Sequence, residues 1–225
     1  MSQRHHEYSR PVYDDRPHMS TYASNGYLVL MPDIVYDMGY PGSSALDDVV
    51  SAARATIDAG YADPERIGLQ GHSWGGYETS FILTQTDMFA CIVTGAPLTN
   101  LVSMHNILYK QSGSPNAPLI QWGQGRMDTT PFHDLERYVA ESPIHHAADI
   151  ATPFLILHGT ADGAVDWNQG LELYIAARRM GKEAILLSYP DEPHHLGREE
   201  NQKDFQIRMK QFFDHYLKGA PAPAW

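Results

Sequence analysis

Three residues of this 225-residue chain have the types and the order needed to attack an acyl bond: Ser73, Asp162 and His194. A serine hydroxyl is a weak nucleophile at its ordinary pKa and needs an imidazole within hydrogen-bond reach to take its proton. A carboxylate behind that imidazole fixes its tautomer and stabilises the imidazolium formed during attack. Ser73 lies in Gly71-His72-Ser73-Trp74-Gly75, after the apolar run Ile67-Gly68-Leu69-Gln70 and before a helix-compatible segment, residues 77–84. This is the pattern of a sharp strand-to-helix turn, in which the residues two before and two after the serine must be small. Gly71 and Gly75 meet that requirement, and Gly76 lets the helix approach the sheet closely. The first amides of that helix point at the same spot, where negative charge would develop on a substrate oxygen.

The partners of Ser73 are chosen from several candidates. Asp162 lies in the loop that follows the apolar run 154–158, whereas Asp166, four residues on, is placed to begin the next helix. His194 and His195 are adjacent, and local spacing does not separate them as the base. His72 must point away from its neighbour Ser73, and His158, inside an apolar run, reads as a core histidine. Neither His5-His6 nor His145-His146 has a third ligand at a useful spacing, so no metal site is expected. The one cysteine, Cys91, lies in an apolar run and reads as a small buried hydrophobe. No cofactor motif is present.

The elements that must position these residues alternate between short apolar runs and amphipathic segments. Runs at 27–31, 67–70, 91–94, 154–158 and 184–189 read as strands, the first of them continuous enough to be buried on both faces. Ser44, with Asp47 three residues later, is expected to cap a helix with an inner stripe of Val49, Ala52, Ala53 and Ile57. Helices are also expected over 166–180 and from about 201 to 218, the last with Phe205, Met209, Phe212, Phe213 and Tyr216 inside. Residues 98–140 break the pattern with Gly, Pro and scattered aromatics, and are expected to form short helices that wall the mouth of the site. The whole predicts an α/β protein: a mostly parallel sheet with helices on both faces, residues 25–225, preceded by an irregular surface segment, residues 1–24. Ser73, Asp162 and His194 then fall at carboxyl ends of strands, in the chain order of an α/β-hydrolase.

Composition narrows the function classes. The formal net charge is −11, with no basic run, which argues against nucleic-acid binding. No apolar run approaches the roughly 18 residues of a membrane span, and no signal-peptide apolar core follows Met1.

Residues 71–77, His158-Gly159-Thr160-Ala161-Asp162 with Val165, residues 190–194 and the closing stretch 212–223 together resemble the catalytic domain of the prolyl oligopeptidase family of serine peptidases. The resemblance is strongest to its dipeptidyl-aminopeptidase and acylaminoacyl-peptidase-like branch and runs from about Tyr22 to the end. It implies hydrolysis of peptide or amide bonds through an acyl-enzyme, without a cofactor; the alternatives are a small-ester carboxylesterase or a catalytically weak hydrolase-fold fragment. It also implies that His194 is the base, that the amide of Trp74 is one oxyanion donor, and that Tyr77 and Val165 lie near the substrate.

The departures from the family are specific. Asp33-Ile34-Val35-Tyr36 stands where many relatives have Asp-x-Arg-Gly. Relatives also carry a β-propeller and several amino-terminal strands of the hydrolase sheet that are absent here. One of those strands normally lies between the counterpart of residues 27–31 and the nucleophile strand, and its loop supplies a tyrosine as second oxyanion donor. Two outcomes are expected: either residues 27–31 pair directly with 67–70 in a five-stranded sheet, or the chain needs a partner, a homo-oligomer included. The sequence reads as a truncated catalytic fragment, cytoplasmic as it stands and periplasmic or secreted if a signal peptide precedes it.

Overall fold

Alternate residues of the two central strands face opposite ways, and each set finds its own helices. In β2 (Cys91–Gly95) and β5 (Phe154–Gly159), Ile92, Phe154 and Ile156 point into one apolar cluster, while Cys91, Val93, Leu155 and Leu157 point into another. A strand whose every residue is buried reads as a continuous apolar run because both faces are covered. The computed structural model describes residues 14–225, and the His5-His6 pair lies outside them.

In chain order the elements are α1 (Met19–Ser24), α2 (Pro41–Asp58), β1 (Gly68–His72), α3 (Trp74–Gln85) and β2, followed by α4 (Leu101–His105). A two-residue hairpin, β3 (Leu108–Tyr109) and β4 (Ser114–Pro115), comes next, then α5 (Ala117–Gln121), α6 (Leu135–Ala140) and a 3-10 segment, Pro143–Asp149. The chain closes with β5, α7 (Asn168–Arg179), β6 (Ala184–Tyr189) and α8 (Glu199–Lys218). The main sheet has the order β1-β2-β5-β6, every neighbouring pair parallel. Helices α2, α3 and α7 cover one face; α8, with Tyr22 of α1, covers the other. Phe205, Met209, Phe212, Phe213 and Leu217 of α8 recur at three- and four-residue intervals, which keeps them on the stripe facing the sheet. Gly219, in the left-handed conformation at φ 67°, ends that helix. A third cluster, from Trp74 and Tyr77 to Met127 and Tyr138, lies among α3 and the short elements between β2 and β5. The stretch 98–140 thus contains the short helices its broken pattern predicts.

Residues 27–31 correct the sequence reading. They form no strand, and β1 pairs only with β2, so the sheet has four strands and the direct pairing with 67–70 does not occur. Tyr27 packs in the cluster under α8 with its hydroxyl donating to Asp214 (2.7 Å), and Ile34 packs against the cluster on the opposite face. Between these anchors Leu28 is 63% exposed and Met31 55%. An apolar run becomes a strand only when it pairs with a neighbouring strand, and here the Tyr27 amide instead donates back to the Tyr22 carbonyl at the end of α1 (3.1 Å). The amino-terminal segment is also less irregular than expected, since residues 19–24 form α1 and Asp15 is buried.

The start of α2 is a second correction. The N-cap is Tyr40, Pro41 occupies the first turn, and Ser44 lies inside the helix, accepting from the Asp37 amide and donating to the Tyr40 carbonyl. The free first-turn amides are served instead by Glu141, whose carboxylate accepts from Gly42 N (2.7 Å), Ser43 N (3.2 Å) and Ser43 Oγ (2.6 Å). A carboxylate there satisfies orphan donors and complements the positive end of the helix. Replacing Glu141 with Ala leaves these buried donors unpaired and should destabilise the protein by about 1–3 kcal/mol. Urea unfolding of Glu141→Ala against wild type measures this, and Glu141→Gln should recover part of the loss.

Candidate active site

Ser73 occupies the single residue between β1 and α3, and its backbone is forced into φ 61°, ψ −117°. A non-glycine residue at positive φ is strained, and such strain persists only where the surroundings impose it. Here the elbow is held from one side by the Ser73 amide donating to the Gly95 carbonyl of β2 (2.8 Å). On the other side the strand and helix approach so closely that a Cβ on Gly71 would lie 2.1 Å from the Gly75 carbonyl oxygen. A Cβ on Gly76 would come within 2.3 Å of the Gly95 oxygen, whereas one on Gly75 would have room. The glycines the turn requires are therefore Gly71 and Gly76, and Gly75 contributes its carbonyl rather than its missing side chain.

His194 Nε2 lies 2.7 Å from Ser73 Oγ, and its Nδ1 lies 2.8 Å from Asp162 Oδ2. The three residues singled out from the sequence are thus brought into one hydrogen-bonded line. Asp162 Oδ1 accepts from the amides of Ala164 (2.8 Å) and Val165 (2.9 Å), which aims Oδ2 at the imidazole. Burial pushes the Asp162 carboxyl up, but hydrogen bonds to His158 and His194 outweigh it and hold the group well below the ordinary carboxylate range. Asp166 stands apart, paired with Lys110 (2.8 Å) and accepting from the Asn168 amide at the start of α7.

The loops carrying Asp162 and His194 are tied together. The Ala161 amide donates to the Glu192 carbonyl (3.0 Å), and the Asp191 amide donates to Thr160 Oγ1 (2.9 Å). The buried Glu192 carboxylate accepts from the amides of Gly197 (2.6 Å) and Arg198 (3.2 Å), fixing the turn from His194 into α8. His72 links this loop to the elbow, its Nε2–H donating to the His194 carbonyl (2.9 Å). Burial pushes the His72 imidazole down to about 4.

Four side chains near the site make contacts that the sequence reading did not foresee. His158 is fully buried, as a core histidine would be, yet its Nε2 lies 3.3 Å from Asp162 Oδ2. Asp15 is 2% exposed and accepts from His195 Nδ1 (2.9 Å) and the Leu196 amide (3.2 Å). Glu141 and Glu192 are likewise buried acids, the first serving amides 98 and 99 residues away and the second amides of its own loop. Nothing local distinguishes a carboxylate that will be buried, since its partners lie up to 181 residues away. Only His158 had a local signal, the four-residue spacing to Asp162.

A cleft of about 160 Å³ opens over Ser73 and His194. Its walls are Trp74, Leu98, Met104, Tyr109, Leu119, Gln124, Ala164 and Val165, so five of these eight come from the stretch 98–140. Val165 lines this cleft. Tyr77 does not: it is fully buried beside Trp74 (ring centroids 4.6 Å) with its hydroxyl donating to the Glu141 carbonyl (3.0 Å), so it holds α3 rather than facing the cleft. Trp74 opens α3 immediately behind Ser73, where the first-turn amides have no partner within the helix. Such a site suits hydroxyl attack on a carbonyl that carries an apolar neighbour.

The chain is similar to known proteins in sequence and in fold. The chain is 32% identical over 180 residues to the uncharacterized peptidase YuxL of Bacillus subtilis (strain 168), covering 78% of this chain and 26% of that protein. It is 30% identical to the acylamino-acid-releasing enzyme of Arabidopsis thaliana, covering 80% of this chain and 24% of the other. The structure of a Mycobacterium tuberculosis puromycin-hydrolyzing peptidase superposes with a TM-score of 0.68 at 25% identity, over 78% of this chain and 26% of that one. The chain thus spans about a quarter of the length of these relatives, and the fold is that of their α/β-hydrolase region. Residues 14–220 match the family model described as the prolyl oligopeptidase family, and the chain belongs to that family.

Proposed function

We propose that this chain is the catalytic part of a serine hydrolase that cleaves peptide or amide bonds through an acyl-enzyme, with Ser73 as nucleophile, His194 as base and Asp162 as the orienting acid. The observation that carries the reading is the unbroken line from Asp162 Oδ2 through the imidazole to Ser73 Oγ, with both contacts at hydrogen-bond distance. His194 Nε2 takes the Ser73 proton as Oγ attacks the carbonyl carbon. The oxyanion forms beside the Trp74 amide at the amino end of α3. When the tetrahedral intermediate collapses, His194 returns the proton to the departing amine, and a water activated the same way then releases the acyl group. Asp162, held ionised by its hydrogen bonds, balances the imidazolium at each stage. Leu98, Met104, Leu119 and Val165 offer an apolar wall to the side chain next to the scissile bond.

Esters are the easier substrates. Trp74 is the one oxyanion donor this reading assigns, and removing one donor of a pair costs roughly 10²- to 10³-fold in rate. Activated esters, with better leaving groups, tolerate that loss better than amides.

A fluorophosphonate probe should label wild type and leave Ser73→Ala unlabelled; equal labelling of the two removes Ser73 from the mechanism. Asp162→Asn should lower the rate of p-nitrophenyl-ester hydrolysis by about 10³- to 10⁴-fold, because the imidazole is then held in the wrong tautomer. Stability carries a second signature. A carboxyl depressed on folding contributes its full stabilisation above its unfolded value of about 4 and loses it as the pH falls through the lower folded value. The gap in urea midpoint between wild type and Asp162→Asn should therefore narrow below about pH 4, whereas a gap that widens in acid would contradict the ionised assignment.

A further inference from the structure

β5 carries an imidazole where its pattern calls for an apolar side chain. Phe154 and Ile156 point into the cluster under α7, and His158, two residues on, continues the same face with its side chain fully buried. The ring fits because α7 has a glycine at that point: a Cβ on Gly170 would lie 2.7 Å from His158 Nδ1. An imidazole in such surroundings calls for hydrogen-bond partners, and they lie on one side of it only. Nε2 is 3.2 Å from the Val165 carbonyl oxygen and 3.3 Å from Asp162 Oδ2, whereas Nδ1 is buried and has no partner among the described residues. Both neighbours of Nε2 are acceptors, which assigns the ring proton to Nε2 and shares it between them. Asp162 Oδ2 is also the oxygen that faces His194 Nδ1 (2.8 Å), so two imidazoles converge on it. Val165 is bound to the acid from both ends of its peptide, since its amide donates to Asp162 Oδ1 (2.9 Å).

We propose that His158 is a positioning residue: its Nε2–H, shared between Asp162 Oδ2 and the Val165 carbonyl, sets how firmly the carboxylate holds the His194 imidazole. The proposal rests on the reading of Ser73, His194 and Asp162 as the reacting line and adds a fourth side chain behind it. A carboxylate oxygen that accepts from two imidazoles divides its negative charge between them. Without His158 that charge falls on His194 alone, whose imidazolium is then stabilised and gives up its proton at higher pH. Burial pushes the Asp162 carboxyl up, and the hydrogen bond from His158 is foremost among those that bring it down. His158 thus points Oδ2 at His194 and limits the basicity Oδ2 lends it. His194 otherwise faces Ser73 and the rings of His72 and His195, with centroids 5.1 and 4.9 Å away, and Asp15 lies beyond those two rings. None of these groups is altered by a substitution at position 158.

NMR of the histidine ring nitrogens in the full chain tests this without turnover. In wild type His158 should carry its proton on Nε2, and a proton on Nδ1 overturns the sharing. His158→Phe fills the space of the ring without a donor, and in it His194 should titrate roughly half a pH unit or more above wild type. His158→Gln, whose amide nitrogen reaches the position of Nε2, should bring the titration back towards wild type. Circular dichroism checks that each variant is folded. Should His158→Phe fail to fold, His158→Asn, whose shorter amide stops short of that position, takes its place. A His194 titration unaltered in the folded variant without a donor overturns the proposal, since a space-filling residue would change stability and leave that titration alone. The second arm rests on Ser73 being the nucleophile: the acidic limb of the fluorophosphonate labelling rate should move with the His194 titration. A limb that stays in place while the titration moves overturns the link to activation of Ser73. Absence of labelling in wild type at any pH counts against the hydrolase reading alone, and the NMR titration still decides the role of His158.

Discussion

The contact between Gly71 and the Gly75 carbonyl is the constraint from which the site follows. Because no side chain stands at Gly71, β1 can turn into α3 within one residue, and that residue is Ser73 at positive φ. The turn lifts the hydroxyl above the sheet rim and sets the unpartnered amides of α3 behind it. The strain is sustained by the hydrogen bond from the Ser73 amide to Gly95, so the neighbouring strand β2 is part of the device. Widening the gap between strand and helix would relax the serine and lower it from the rim.

The remaining polar groups bring two loops to that hydroxyl and keep them there. Asp162, Glu192, Asp15 and Glu141 are all buried acids, and each accepts backbone amides or imidazoles rather than lysine or arginine in close contact. Carboxylates that accept several directed N–H groups hold loops in one geometry, whereas exposed ion pairs contribute little and allow many. The loop carrying His194 is gripped three times: by Glu192 from within, by Asp15 from the amino-terminal segment, and by His72 from the elbow. A loop fixed this firmly keeps the His194 imidazole at hydrogen-bond distance from both a hydroxyl and a carboxylate.

One side of the molecule is built differently. At β1 the sheet ends with the strand that leads into Ser73, and the apolar run 27–31 lies exposed between two anchored ends. The chain belongs to the prolyl oligopeptidase family and spans about a quarter of the length of the curated relatives it matches.

Local patterning was enough to determine a good deal. Full burial of β2 and β5 follows from their unbroken apolar runs, the inner face of α8 from its three- and four-residue spacing, and the elbow from glycines set around a serine. The order of serine, acid and histidine could be read because each sits just after a strand, where a parallel sheet collects loop residues at one rim. Tertiary structure decided what depends on a partner far along the chain. Residues 27–31 are as apolar as β5 yet form no strand, because pairing needs a neighbour and not only a composition. Ser44 has the type and spacing of a cap, but a carboxylate 98 residues away from Ser43 reached the free amides first. Tyr77 follows the elbow by four residues and still turns into the core, since helix phase, not proximity in sequence, sets which way a side chain faces. His194 was separated from His195 only when the first met Asp162 and Ser73 and the second met Asp15, a distinction carried entirely by the direction of two adjacent rings.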